Sequence, residues 1–246
     1  MFHFFSKKKF LVDSLENLVD IHNHILPGID DGAKTTDEAI ALIKGFVEIG
    51  IRNFVATPHI MGDLYPNTSE TIHKALNLVQ SELLKHNIKD IAIEASAEHM
   101  IDVDFEKLLS DGEVLPLRKE FLLVEMSYLQ PSLNFKEAII KIAAKRFYPI
   151  LAHPERYTFF HGHLSRYQRY KNKGISFQMN LLSLGDFYGK EVQKVAHKLL
   201  NEGLIDYVAS DVHNLHQLNA LKELAITPKT EQLLLPVINT TIETFY

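Results

Sequence analysis

The sequence predicts an α/β protein whose parallel strands close into a barrel. Three features lead there: about seven short apolar runs occur, segments of helical periodicity separate them, and polar side chains able to bind metal stand just past most of the runs. Alternating strands and helices imply parallel strands joined by crossovers. A closed ring brings the strand ends together, whereas an open sheet spreads them along one edge.

The strand candidates are residues 18–21, 53–56, 91–95, 121–124, 148–152, 175–179 and 207–209, all rich in apolar or β-branched residues. The clearest helix is 36–49, where Ala39, Ile40, Ile43, Phe46 and Val47 form one stripe. Thr35 with Glu38 resembles a capping box, and Gly50 suits the stop. Further helices are expected at 69–86, 135–146, 164–173, 190–201 and 215–224, while 131–134 and 227–230 read as loops. There is no internal repeat, low-complexity tract or linker, so residues 18–246 are expected as one domain behind an N-terminal tail, residues 1–17.

Composition narrows the function. With 46% apolar residues in 246, the chain can bury one large core, yet no apolar run approaches the ~20 residues of a membrane span. The Phe-rich start precedes Lys7, Lys8 and Lys9, the reverse of a secretory signal, so neither a secretory signal nor a membrane span is expected. That opening reads as a tail, with contact to an anionic membrane surface as the alternative. A net charge of -5 without a dense basic block argues against nucleic acid. The absence of cysteine excludes disulfides, thiolate ligands and a cysteine nucleophile.

The strongest local motif is Asp20-Ile-His22-Asn-His24, whose alternate side chains share one side of an extended segment. It runs through Pro27-Gly28 to Asp30-Asp31-Gly32, a turn able to deliver a carboxylate, for which Asp31 is the candidate. A His-x-His pair alone fits buried, hydrogen-bonded histidines equally well. Other strand ends shift that balance: His59 follows Thr57-Pro58, Glu98 follows Ala95-Ser-Ala, Glu125 follows Leu122-Leu-Val, His153 follows Ile150-Leu-Ala, and Asp211-Val-His213 follows Val208-Ala-Ser. Burying so many ionisable groups costs several kcal/mol each without compensation, and bound cations supply it. Oxygen and nitrogen donors without thiolate suit Mn, Fe or Zn, with the carboxylates leaning toward Mn or Fe.

The remaining histidines read differently. His161-Gly-His163 lies in a loop; His73, His86 and His197 fall within helices; His99 is at most a pocket-wall residue; and His216 lies near the rim. Arg156, three residues after His153, is the candidate for holding phosphate, because guanidinium presents a planar fork of donors. Glu155 is expected to be structural, and Tyr65 and Tyr157 to line a pocket for an aromatic leaving group.

The stretch Asp20-Ile-His-Asn-His-Ile-Leu-Pro-Gly-Ile-Asp-Asp-Gly32, followed by Thr57-Pro-His59, His153-Pro-Glu-Arg-Tyr157 and Ser210-Asp-Val-His-Asn214, resembles the polymerase and histidinol phosphatase (PHP) superfamily, in particular its bacterial capsule-associated tyrosine phosphatases. The resemblance covers residue 18 to about residue 221. It implies a distorted seven-stranded (β/α) barrel of PHP type with three divalent metals, Mn foremost. His22, His24, Glu98 and Asp211 would hold the first, Glu98, Glu125 and His153 the second, and Asp31, His59 and His213 the third, with Glu98 bridging. Ala95-Ser-Ala-Glu-His99 departs from the Gln-Glu-Ile-Arg form associated with capsule phosphatases, although the glutamate is kept. The resemblance further implies dephosphorylation of protein phosphotyrosine by a metal-bound hydroxide, with Glu98 and Arg156 catalytic. The implied partner is a membrane-bound bacterial tyrosine kinase that regulates exopolysaccharide, the phosphatase itself being cytoplasmic. A small-molecule phosphatase acting on a histidinol-phosphate-like substrate, a metal-dependent amide hydrolase and a non-catalytic phosphotyrosine-binding regulator are the alternatives.

Overall fold

The structure is a computed structural model that describes residues 9–62 and 64–246. In chain order the elements are β1 (Lys9–Phe10), β2 (Val19–Asp20), α1 (Thr36–Val47), β3 (Asn53–Ala56), β4 (His59–Ile60), α2 (Ser69–Lys85), β5 (Ala92–Ala95), β6 (Glu98–Met100), α3 (Phe105–Asp111) and β7 (Phe121–Glu125). There follow α4 (Phe135–Ala144), β8 (Tyr148–Ala152), α5 (Leu164–Lys171), β9 (Ser176–Asn180), α6 (Lys190–Asn201), β10 (Tyr207–Ala209), α7 (Leu215–Glu223), β11 (Ala225–Ile226) and α8 (Pro228–Phe245). The expected alternation of strand and helix is present, and α1, α2, α4, α5, α6 and α7 lie where the apolar stripes put them. Thr35 accepts from Glu38 N at 3.2 Å, while the Glu38 carboxylate turns to Lys34 N instead of closing the box on Thr35.

Two parallel sheets form the centre, one ordered β10-β9-β8-β7-β6-β4 and the other β2-β3-β5. Thr57-Pro58 interrupts the run from β3 to β4, and Ser96-Ala97 interrupts that from β5 to β6, so each pair continues one line of chain from one sheet into the other. Proline has no N–H to donate and breaks the ladder at Pro58. On the opposite side, Asp211 N donates to His22 O at 2.7 Å and His24 N to Val212 O at 3.0 Å, linking the chain after β10 to the chain after β2.

One expected loop and the expected tail come out otherwise. Residues 227–230 do not form a loop: they open α8, with Pro228 in the first turn, where its missing N–H is harmless, and Thr227 accepting from Thr230 N. The short α3 and the whole of α8 had no counterpart in the sequence expectations. Residues 9–17, expected as tail, are packed: β1 pairs antiparallel with β11, and Leu11 and Leu15 are buried in the main core. The Phe-rich opening and its surface-contact alternative, residues 1–8, lie outside the described residues. Among the described residues, no helix is long and apolar enough to cross a membrane.

The main core fills the space between strands and helices, from Leu11 to Ile238. A second apolar cluster is formed by strand side chains such as Val19, Val55, Leu123, Ile150 and Ala209, together with Phe245 of α8. On two of these strands the side chain two residues further along, Glu125 after Leu123 and Asp211 after Ala209, belongs to the site.

Candidate metal centre

On β7, Leu123 belongs to the second cluster, and Glu125, on the same face, lies one step beyond it. On β10, Ala209 is succeeded in the same way by Asp211. His153 directly follows Ala152, and positive φ values at His153 (32°) and Asp211 (52°) turn the chain at both positions. Such conformations cost free energy for residues with a Cβ and collect at functional sites. The Asp30-Asp31 turn is set by Gly32, where a Cβ would fall 2.0 Å from His24 O. Only glycine permits this approach.

These elements bring nine side chains together. His22 Nε2 lies 3.2 Å from Glu98 Oε2 and 3.3 Å from Asp211 Oδ1, which is also 3.3 Å from His24 Nε2. His153 Nε2 meets Glu98 Oε1 at 2.9 Å, and His59 Nδ1 meets Glu98 Oε2 and Glu125 Oε1 at 3.1 and 2.9 Å. Asp31 Oδ1 stands 3.4 Å from both His59 Nε2 and His213 Nε2. Four sets have donor atoms within 4.8 Å of one another: His24–Asp31–His59–His213, His22–His24–Asp211, His22–Glu98–His153 and His59–Glu98–Glu125. The sets partition the nine residues differently from the expected three sites, because His22, His24, His59 and Glu98 each face two neighbours.

The donor set fits divalent cations. His59 Nδ1, Glu98 Oε2 and Glu125 Oε1 are buried and converge without a hydrogen bond among them, an arrangement that is costly unless something bridges the atoms. Burial opposes charge on His22, yet the Glu98 and Asp211 carboxylates outweigh it and push its pKa up to about 9. Burial also opposes charge on His24, and Asp30 with Asp211 raises it to about 10. The carboxylates thus hold positive charge at the centre, and the same field attracts a metal ion.

Several partners orient the imidazoles. His22 Nδ1 bonds Gln178 Oε1 at 2.8 Å and His24 Nδ1 bonds Asp30 Oδ2 at 2.7 Å, leaving both Nε2 atoms toward the cluster. Asp30 also accepts from Gly32 N and His59 N. Asp31 is therefore the member of the pair within the cluster, and Asp30 supports it. Gln178 and Asn180, both on β9, were not singled out from sequence, although a polar residue at a strand end is the signal that marked Glu125. Asp20 does not join the cluster; it accepts from Ser210 N and Oγ at 2.9 and 2.6 Å, and burial raises its pKa to about 6 against these hydrogen bonds.

A cleft of about 980 Å³ opens over the cluster. Arg156 lines it, donating to Asp211 Oδ2 at 2.8 Å, with its guanidinium 4.5 Å from the Tyr128 ring centre and 4.3 Å from that of Tyr188. Tyr65 lines the cleft, stacked on His59 at 5.4 Å. Tyr157 does not: it is fully buried, and its hydroxyl accepts from Met126 N at 3.0 Å, because its ring fills the space beneath Tyr128. Tyr128, which the sequence did not single out, takes the wall position, its hydroxyl 3.2 Å from His153 Nε2.

His99 is not a wall residue either. Its Nδ1 donates to Leu123 O and its Nε2 accepts from Leu115 N, and burial lowers its pKa to about 4. Glu155 is buried and accepts from Asn180 N and Ser183 Oγ, a structural role. His161 bonds Glu155 O, His73 bonds Ser69 O, and His197 bonds Leu184 O; His216 lies against Phe187.

The family model for capsular polysaccharide synthesis proteins, CpsB/CapC, matches residues 18–223. The chain belongs to the CpsB/CapC family. Tyrosine-protein phosphatase YwqE of Bacillus subtilis (strain 168) is 29% identical over 203 residues, 82% of this chain and 80% of the relative. Tyrosine-protein phosphatase CpsB of Streptococcus pneumoniae is 29% identical over 205 residues, 80% of this chain and 84% of the relative. A chain from the crystal structures of YwqE from Bacillus subtilis and CpsB from Streptococcus pneumoniae, described as unique metal-dependent tyrosine phosphatases, superposes with a TM-score of 0.78 at 26% identity. The superposition covers 93% of this chain and 91% of that one. Met100, two positions after Glu98, lines the cleft and carries no charge. Among the described lining residues, this leaves Arg156 as the one Lys or Arg.

Proposed function

We propose that the chain is a metal-dependent protein-tyrosine phosphatase, independent of cysteine. One observation carries this: nine histidine and carboxylate side chains converge beneath a cleft, with a guanidinium fixed beside them. Membership in the CpsB/CapC family and the names of its relatives support the same activity.

His22, His24, Asp31, His59, Glu98, Glu125, His153, Asp211 and His213 would hold divalent metals, three by resemblance, with Mn favoured and Fe or Zn as alternatives. Such ions lower the pKa of bound water toward neutrality and neutralise phosphate charge. Glu98, with one oxygen toward His153 and the other toward His22 and His59, fits a bridging role. Arg156 has little freedom between two aromatic rings and Asp211, so its remaining donors meet a phosphate oxygen with little ordering cost. Tyr65 offers a ring face to the substrate tyrosine. A phenolate leaving group, with a pKa near ~10, needs less protonation than an alkoxide, and no side chain is assigned as general acid.

We read the two parallel sheets as one distorted seven-stranded barrel, with β3–β4 and β5–β6 as single broken strands. The bonds joining residues 22–24 to 211–212 support that closure. The residues from 9 onward would then form one domain. The proposed setting is the cytoplasm, and the proposed substrate protein is a membrane-bound tyrosine kinase of exopolysaccharide assembly.

The test compares phosphotyrosyl peptide, histidinol phosphate and p-nitrophenyl phosphate before and after chelation. Turnover of the aryl substrates that vanishes with the metal and returns on Mn addition is expected. Full activity after metal removal contradicts the proposal, and preference for histidinol phosphate transfers it to a small-molecule phosphatase.

A further inference from the structure

Beyond the cluster, the cleft continues between three loops. Leu64 lies on the first, Val103 on the second, and Leu129 and Leu133 on the third, and all four line the cleft. Val103, Leu129 and Leu133 are 88%, 92% and 101% exposed, so none contributes to the core. Asn134 Nδ2 ties the second and third loops by donating to Asp102 O at 3.0 Å, and the first approaches closely at Gly62, where a Cβ would fall 3.1 Å from Asp102 Oδ2. Apolar side chains presented together around one opening mark a contact surface, whereas scattered ones carry no such meaning.

The charge of this outer cleft has one sign. Asp102 and Glu106 line it; Glu106 is already paired with Lys141, and the lone lining guanidinium, Arg156, is engaged deeper with Asp211 and two tyrosine rings. A carboxylate entering beside Asp102 meets like charge, while Lys141 and Arg156 already pair with Glu106 and Asp211. The space is also ample: about 980 Å³ lies near the top of the ~300–1,000 Å³ range of small-molecule pockets, more than one phosphotyrosyl side chain requires.

We propose that Val103, Leu129 and Leu133, with Asp102 beside them, form the surface that reads the residues flanking the phosphotyrosine. They select a segment of the substrate protein with large apolar side chains, and without acidic ones, next to the tyrosine. This rests on the phosphatase activity proposed above.

The experiment uses the metal-replete full chain and phosphotyrosyl peptides of one length with Leu, Ala or Glu on both sides of the tyrosine, alongside p-nitrophenyl phosphate, which has no flanks. The expected kcat/KM for the Leu peptide exceeds that for the Glu peptide by about tenfold or more, mostly through KM, as burial of one apolar side chain implies. The L129S/L133S double variant should bring the Leu and Ala peptides within about twofold while leaving p-nitrophenyl phosphate turnover unchanged, which also shows that it folds. D102N should improve the Glu peptide selectively. Equal kcat/KM for all three peptides, with p-nitrophenyl phosphate hydrolysed normally, overturns this proposal alone. No hydrolysis of any substrate overturns the phosphatase activity and this proposal with it.

Discussion

The inner side chains of the strands make two regions of opposite chemistry within a few residues of each other. At one level Val19, Val55, Leu123, Ile150 and Ala209 pack with Phe245 from α8. At the other, His22, Glu98, Glu125, His153 and Asp211 crowd together, all buried. The apolar region is stabilised by removal of surface from water, while the polar one pays for desolvation and recovers it only through opposite charge. Stability and chemistry are thus separated along the strands, and perturbing one level should leave the other largely intact.

The largest contrast is expected from two substitutions. Glu98→Ala should lower aryl-phosphate kcat by about a thousandfold or more, as loss of a group central to charge stabilisation does, while far-UV circular dichroism still reports the native fold. Phe245→Ala should do the converse, costing roughly 3–5 kcal/mol of stability in chemical denaturation with turnover per folded molecule preserved. An inactive but stable F245A, or an unfolded E98A, would break the separation.

Asp30→Asn sharpens the comparison from the side of the supporting shell. It keeps shape but weakens the hold on His24 Nδ1, and metal affinity measured by competitive chelation should fall about 10–100-fold. Unchanged affinity would mean that Asp30 does not orient the imidazole.

Acid should act on the polar level first. Imidazoles must be neutral to coordinate, and the carboxylates raise His22 to about 9 and His24 to about 10, so below those values metal uptake must displace protons. The sign follows: affinity rises with pH through neutrality and falls in mild acid, by about tenfold per pH unit for each proton released. Calorimetric titration in buffers of different ionisation enthalpy reads that release, and pH-independent uptake would contradict it. The smallest effect is expected at Tyr128→Leu, where one of the two rings beside Arg156 is lost; KM for an aryl phosphate should rise about threefold to tenfold with kcat less affected.

The two levels also differ in how far they could be read from residues alone. Three strands, Asn53–Ala56, Tyr148–Ala152 and Tyr207–Ala209, and the helix Lys190–Asn201 coincide with their expected ranges, because strong apolar patterns with clear boundaries mark them. The helix α8 was missed entirely, its start hidden by Thr227-Pro228, a pair that suits a turn as well as a first helical turn, and α3 is short and its Asp104 N-cap makes no side-chain capping bond. At the site, donors immediately past apolar runs were legible one by one. Their partners were not: Gln178 meets His22 from 156 residues away, and only the folded chain brings them together. Tyr128 and Tyr157 show the same limit, since pattern alone does not tell which of two nearby aromatic residues faces the cleft and which the core.

Metal stoichiometry tests the central claim most directly. Purified protein, stripped and then dialysed against excess Mn, should retain about three equivalents by elemental analysis, as the three- and four-donor sets at the strand ends allow, and an H22A/E98A/H153A variant should retain fewer. A wild-type chain that stays at background metal content under those conditions would contradict it.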